Sequence, residues 1–177
     1  MKRSIFFLFA LLIIALPQTG EAYVATKATS LRLNDQTLMF ILTYSFGHDE
    51  LSYRMPIRAT RNGDERSEGV GYAISNGNLR TNGGETVAIV LSDTKVEDGM
   101  YVVPKGEARE FTLLTFFTVP EASATSSKFS VGVESLPFLY SKDGTYRDSQ
   151  LNKGELVEYR TPAIGTDRKI GITQKLN

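Results

Sequence analysis

The amino-acid sequence predicts an all-β protein, a two-sheet antiparallel sandwich of about eight or nine strands in a single domain. Two observations carry this. Apolar residues recur with a period of two rather than 3.6 along most of the chain. Clusters of Gly, Asn, Asp, Pro and Ser separate these alternating runs at short intervals, as turns do between short strands.

Before the first strand stands a different element. Lys2 and Arg3 precede an uninterrupted apolar run of 12 residues, Ile5 to Leu16. Pro17 ends the run, and Gly20 and Ala22 place small residues at positions −3 and −1 of a cleavage site after Ala22. This is the plan of a secretory signal peptide, too short for a comfortable membrane span of about 20 residues. Residues 1–22 are therefore expected to be removed, with the mature chain starting at Tyr23. No cysteine follows for lipid attachment.

The strands follow in order. "TSLRL" opens the series. In "TLMFILTYSF", Leu38, Phe40, Leu42, Tyr44 and Phe46 share one face. The opposite face, Thr37, Met39, Ile41, Thr43 and Ser45, is less polar than a solvated face should be. "LSYRMPIRA", "GVGYAIS", "TVAIVL" and "MYVV" are shorter candidates. In "EFTLLTFFTV", Phe111, Leu113, Phe117 and Val119 align against Glu110, Thr112, Leu114, Phe116 and Thr118. In "KFSVGVE", Phe129, Val131 and Val133 align. "ELVEY" and a terminal strand around Lys169–Thr173 complete the set. The strands Leu38–Phe46 and Phe111–Val119 are the longest and most apolar, so they are expected at the centre. Between strands lie "RNGDERSEG", "SNGNLRTNGG", "KVEDG", "VPKG", "PEASATSS" and "SKDGTYRDSQLNKG". "SDTKVEDG" is read as a possible short helical turn. The expected organisation is residues 1–22 leader, 23–161 sandwich and 162–177 C-terminal strand or tail.

"YVVPKGEAREFTLLTFFTVP" joins a short strand, a Pro-x-Gly turn and a long alternating strand, and "SSKFSVGVESLPF" follows after a polar loop. Over about Val102 to Phe138 this resembles the later half of secreted bacterial immunoglobulin-like sandwich domains. The resemblance implies an immunoglobulin-like fold and a non-enzymatic role. The cysteine pair and core tryptophan of antibody-type domains are missing, and no functional residue is carried over.

Composition excludes several chemistries. The chain has no cysteine and no tryptophan. Thiol catalysis, zinc–thiolate sites and iron–sulfur clusters are ruled out, and stability must come from burial rather than disulfides. Without residues 1–22 the chain carries 18 basic and 19 acidic residues, a net charge of −1. That is no electrostatic platform for nucleic acid or an anionic membrane.

His48, the only histidine, lies in "SFGHDELSY" beside Asp49 and Glu50. A triad needs a nucleophile poised by a histidine that an acid orients. Adjacent side chains on an extended segment point apart, and Gly47, His48 and Asp49 suit a turn. His48 is therefore expected to be a turn residue. Asp143, Asp148, Asn152 and Glu155 are the best calcium-ligand candidates, since calcium takes six to eight oxygens, but Lys142, Arg147 and Lys153 interrupt them. The glycine-rich "NGNLRTNGGET" lacks the G-K-[ST] of a phosphate loop, and Asn-Gly and Gly-Gly suit hairpins. Most of the tyrosines Tyr53, Tyr72, Tyr101, Tyr140, Tyr146 and Tyr159 are expected to pack with their hydroxyls at the rim.

The function expected is surface recognition by a secreted, non-enzymatic sandwich in a cell-surface, appendage or extracellular assembly. No cofactor, nucleic acid or membrane insertion of the mature chain is expected. The alternative is a secreted hydrolase, or a calcium- or carbohydrate-binding module using loop carboxylates. A protein partner is expected, with Ile170 and Ile172 of a peripheral terminal strand as candidate contacts.

Overall fold

A computed structural model describes residues 23–62, 68–120, 127–152, 155–156 and 160–165. The leader, most of "ELVEY", and Ile170 and Ile172 lie outside the described residues. The described chain is all-β, a single domain of two sheets, and it contains thirteen strands rather than eight or nine.

The first sheet has four strands: β1 (Tyr23–Arg32), β2 (Thr37–Gly47), β10 (Ala108–Thr118) and β7 (Glu85–Ser92), in the order β1-β2-β10-β7. All three pairings are antiparallel. The two long apolar strands, β2 and β10, are the inner pair, as their composition predicts.

The second sheet is built around β11 (Lys128–Ser141). Its neighbours are β3 (Ser52–Pro56), β5 (Val70–Asn76), β12 (Arg147–Asn152) and β13 (Ile164–Gly165). A strand residue has one neighbour on each side. Leu139 pairs with both Arg54 and Asp148, Ser135 with both Gly71 and Asn152, and Phe129 with both Asn76 and Ile164. So β12 and β13 lie end to end along one edge of β11, and β3 and β5 lie end to end along the other. The second edge is split between Ser135 and Leu139. Pro137, which has no N–H to give a ladder, sits at the split. β9 (Met100–Val103) pairs with β3, β8 (Val96–Glu97) with β9, and β6 (Leu79–Arg80) with β5.

β4 (Ala59–Arg61) pairs parallel with β5. This corrects the expectation of a wholly antiparallel fold. Pro56 ends β3, the chain bends at Ile57, and Arg58 bridges to Ile89 of β7. The edge of the second sheet is thereby tied to the first. The Arg61 guanidinium then donates to the carbonyls of Thr81, Gly83 and Gly84 at 2.6–2.7 Å, holding the approach to β7.

Two local readings change. "SDTKVEDG" is not a helical turn: it holds β8 and a tight turn with positive φ at Asp98 and Gly99. The expected breaker "SKDGTYRDSQLNKG" contains β12, which forms a hairpin with β11 although most of its side chains are polar and exposed.

The core lies between the sheets. Leu38, Phe40, Leu42, Tyr44 and Phe46 face Phe111, Leu113 and Phe117 along the first sheet, all buried. They meet Tyr53, Met55, Val70, Tyr72, Ile74, Val103, Phe129 and Val131 from the second. Val133, which shares a face with Phe129 and Val131, packs at the margin of this cluster. Aromatic edges join the layers: Phe46 to Tyr53 at 4.8 Å and Phe117 to Phe129 at 5.0 Å between ring centroids. Tyr101 donates to the Val90 carbonyl and Tyr72 to Thr86 Oγ1. These tyrosines are buried with hydroxyls bonded to β7, rather than lying at the rim.

Candidate functional site

The outer face of the first sheet is the surface that ordinary folding does not explain. Pairing across β1, β2, β10 and β7 sets its side chains in rows. Leu31, Met39, Phe116 and Val87 form one row, and Thr29, Ile41, Leu114 and Ile89 the next. A third row holds Lys27, Thr43, Thr112 and Leu91. Seven of the eight side chains in the first two rows are apolar. Val87 is 66% exposed, Leu31 and Leu91 45%, and Ile89 42%. Met39, Ile41, Leu114 and Phe116 are half-buried between their neighbours. Thr43 and Thr112 share a hydrogen bond of 3.2 Å between their hydroxyls. The charged side chains Lys27, Glu85 and Glu110 lie toward the ends and edge of the face.

A sheet face turned to water ordinarily alternates apolar-in with polar-out. Here the middle of the outer face of β2 and β10, at Met39, Ile41, Leu114 and Phe116, is apolar as well. An apolar surface rimmed by polar residues marks an interaction site. Sequence reasoning noticed that Met39 and Ile41 were too apolar for an exposed face, but missed that Val87, Ile89 and Leu91 join them. That juxtaposition is set by the non-local register of β7 on β10.

A second feature is a cleft of about 860 Å³ at the split in the second sheet. Met100, Pro137 and Phe138 line it together with Arg58, Glu68 and Asp148. Arg54 beside it donates to Asp98 at 3.0 Å, approaches Glu97 at 3.6 Å, and lies over the Tyr146 ring at 4.6 Å.

The calcium candidates are not brought together. Asp143 Oδ1 accepts from the Thr145 amide in the β11–β12 turn, and that bond holds its carboxyl below the usual range. Asp148 lies near the start of β12 and Asn152 at its end, about 13 Å apart at strand rise. Asn152 Oδ1 accepts from Gln150 Nε2 at 2.7 Å, and the Glu155 carboxylate accepts from the Asn152 backbone N–H. Among the described residues no three His, Cys, Asp or Glu side chains gather to hold a metal ion.

His48 sits in the turn between β2 and β3. Its Nδ1 accepts from the Glu50 amide at 3.0 Å, and its carbonyl accepts from the Gly106 amide. Glu50 is paired with Lys142 at 2.7 Å across the surface, and the lysine holds its carboxyl low. The imidazole thus shapes a turn in a hydrogen-bonded setting, as its sequence context predicts.

No protein-family model matches the chain, and no curated protein matches it. The geometry of its surfaces is therefore the basis for assigning a role.

Proposed function

We propose that the chain is an exported, non-enzymatic immunoglobulin-like β-sandwich that acts by surface recognition in a cell-surface, appendage or extracellular assembly. The outer face of the first sheet is its recognition surface, and the partner is a protein. The single observation that carries this reading is the unbroken apolar row Leu31, Met39, Phe116 and Val87 on a solvent-facing sheet.

Other features support the parts of the reading. The leader-like residues 1–22 support export. The order β1-β2-β10-β7 matches A-B-E-D of an immunoglobulin-like domain, and β3-β11-β12 matches C-F-G, with β4–β6 and β8–β9 as additions.

Photo-crosslinking tests the reading. A photoreactive residue at Ile89 in the full chain, expressed in its native cells, gives adducts in the exported fraction. The same residue at Leu79, exposed on the second sheet, gives none. Equal crosslinking from both positions, or none from Ile89, contradicts it.

The cleft favours a second reading, a calcium- or carbohydrate-binding module or a hydrolase that uses Glu68 and Asp148. A rise in thermal midpoint with added calcium, lost in Asp148→Asn, would establish the calcium module, and a rise with added oligosaccharide the carbohydrate one.

A further inference from the structure

We infer that the occupant of this outer face is a second copy of the same chain, packed sheet on sheet about a two-fold axis. This rests on the recognition reading above and names its partner.

Shape comes first. The face is a four-stranded sheet with side chains in level rows, and a hollow of about 520 Å³ beside Leu91, Glu110 and Thr112 lies at one end rather than along the apolar rows. The surface that fits a twisted sheet is another sheet, aligned within about 30° and about 10 Å away. Each copy supplies one, and a two-fold axis makes a single patch complementary to itself. Ile41 and Leu114 pair across the two inner strands, so they fall nearest the centre of the face and nearest that axis.

Area comes second. Four strands about 4.8 Å apart and about nine residues of strand rise give roughly 19 by 30 Å, on the order of 600 Å² per copy. Two copies remove about 1,200 Å² in total, the lower bound for a specific interface. An interface near that bound is expected to give a reversible rather than an obligate dimer.

Charge comes third. Without residues 1–22 the chain carries 18 basic and 19 acidic residues, a net charge of −1, so little net repulsion separates copies. The inner rows carry no charged side chain, and Lys27, Glu85 and Glu110 lie at the periphery. An uncharged apolar centre with a charged rim is the anatomy of a protein interface. A highly charged partner would find little to pair with there.

The chain contains no cysteine, so one introduced cysteine has no other thiol in its own copy. The protein is purified after export of the full chain. Leu114→Cys, treated with a short bis-maleimide, is expected to give a covalent dimer. Leu79→Cys is expected to stay monomeric. Sedimentation equilibrium of the wild type is expected to show a dimer at micromolar concentration. The double variant Val87→Lys, Leu91→Lys is expected to weaken it by at least about 100-fold, since it buries charge in an apolar interface. Both substituted side chains are exposed, so its thermal midpoint is expected to stay within a few degrees of wild type. A wild type that remains monomeric to about 0.5 mM overturns the inference, as does a dimer that persists in the double variant. A monomer that still crosslinks from position 89 in cells removes only the second copy and leaves the recognition reading standing. A monomer without such crosslinks removes both.

Discussion

Single side chains fix the interior, and their effects separate cleanly by mechanism. Phe111 and Phe117 are fully buried on β10 and stack on or edge against Tyr44, Tyr101 and Phe129. Phe111→Ala or Phe117→Ala is expected to cost about 3–5 kcal/mol in urea unfolding, from lost burial and the cavity left behind. A loss under about 1 kcal/mol for both would mean that the inner face has been misassigned. Thr115 works the other way. It lies among these residues, buried, and its hydroxyl has no hydrogen-bond partner among the described residues. Thr115→Val replaces that hydroxyl with a methyl of nearly the same volume, and is expected to stabilise by up to about 1 kcal/mol. Tyr53 supplies a pH signature. Burial pushes its hydroxyl up to about 12, whereas tyrosine in an unfolded chain ionises near 10. As pH rises the unfolded state loses this proton first. The stability that depends on it is therefore complete below pH 10 and declines between about 10 and 12. Urea midpoints at pH 8 and pH 11 should fall less in Tyr53→Phe than in wild type, and an equal fall would contradict the assignment. His48→Ala changes only a turn bond and should leave folding within about 1 kcal/mol of wild type.

At the scale of elements, β2 and β10 were legible because one physical signal dominated. Period-two alternation over ten residues, with aromatics on one face, permits little but a central strand. β12 was hidden because "RDSQLN" carries no apolar alternation. Its pairing follows from the hairpin after Ser141, where the Ser141 hydroxyl accepts from the Gly144 amide. The parallel contact of β4 with β5 was equally hidden, since three residues after a proline bend carry no register of their own. Beyond its pairing with β5, β4 is held by a cation. Arg61 donates to three carbonyls in the approach to β7 and lies 5.5 Å from the Phe117 ring. Arg61→Met is expected to cost about 2 kcal/mol, the size of a charge-assisted hydrogen-bond set. It should raise amide exchange locally at residues 81–84. Uniform exchange with unchanged stability would show that the clamp is ornamental. The rows of the outer face belong to this scale too. Val87, Ile89 and Leu91 read as one short apolar strand in the sequence. They became part of a surface only when the register placed Val87 beside Phe116 and Met39.

The whole molecule is a sandwich with an apolar core and one further apolar face outside it. Burial in the core accounts for the inner residues of β2, β7 and β10, but not for Leu31, Val87, Ile89 and Leu91, which face water. Leaving such a face exposed invites non-specific association, so its composition has a physical explanation if something covers it. The central claim is that it is covered where the protein works. Carbene footprinting of side chains measures this directly, by comparing dilute purified protein with the protein in its native compartment. Leu31, Val87, Ile89 and Leu91 are expected to label strongly when dilute and weakly in place, while Leu79 and Val96 of the second sheet label strongly in both. Labelling of the outer face in place as strong as that of Leu79 would contradict the account.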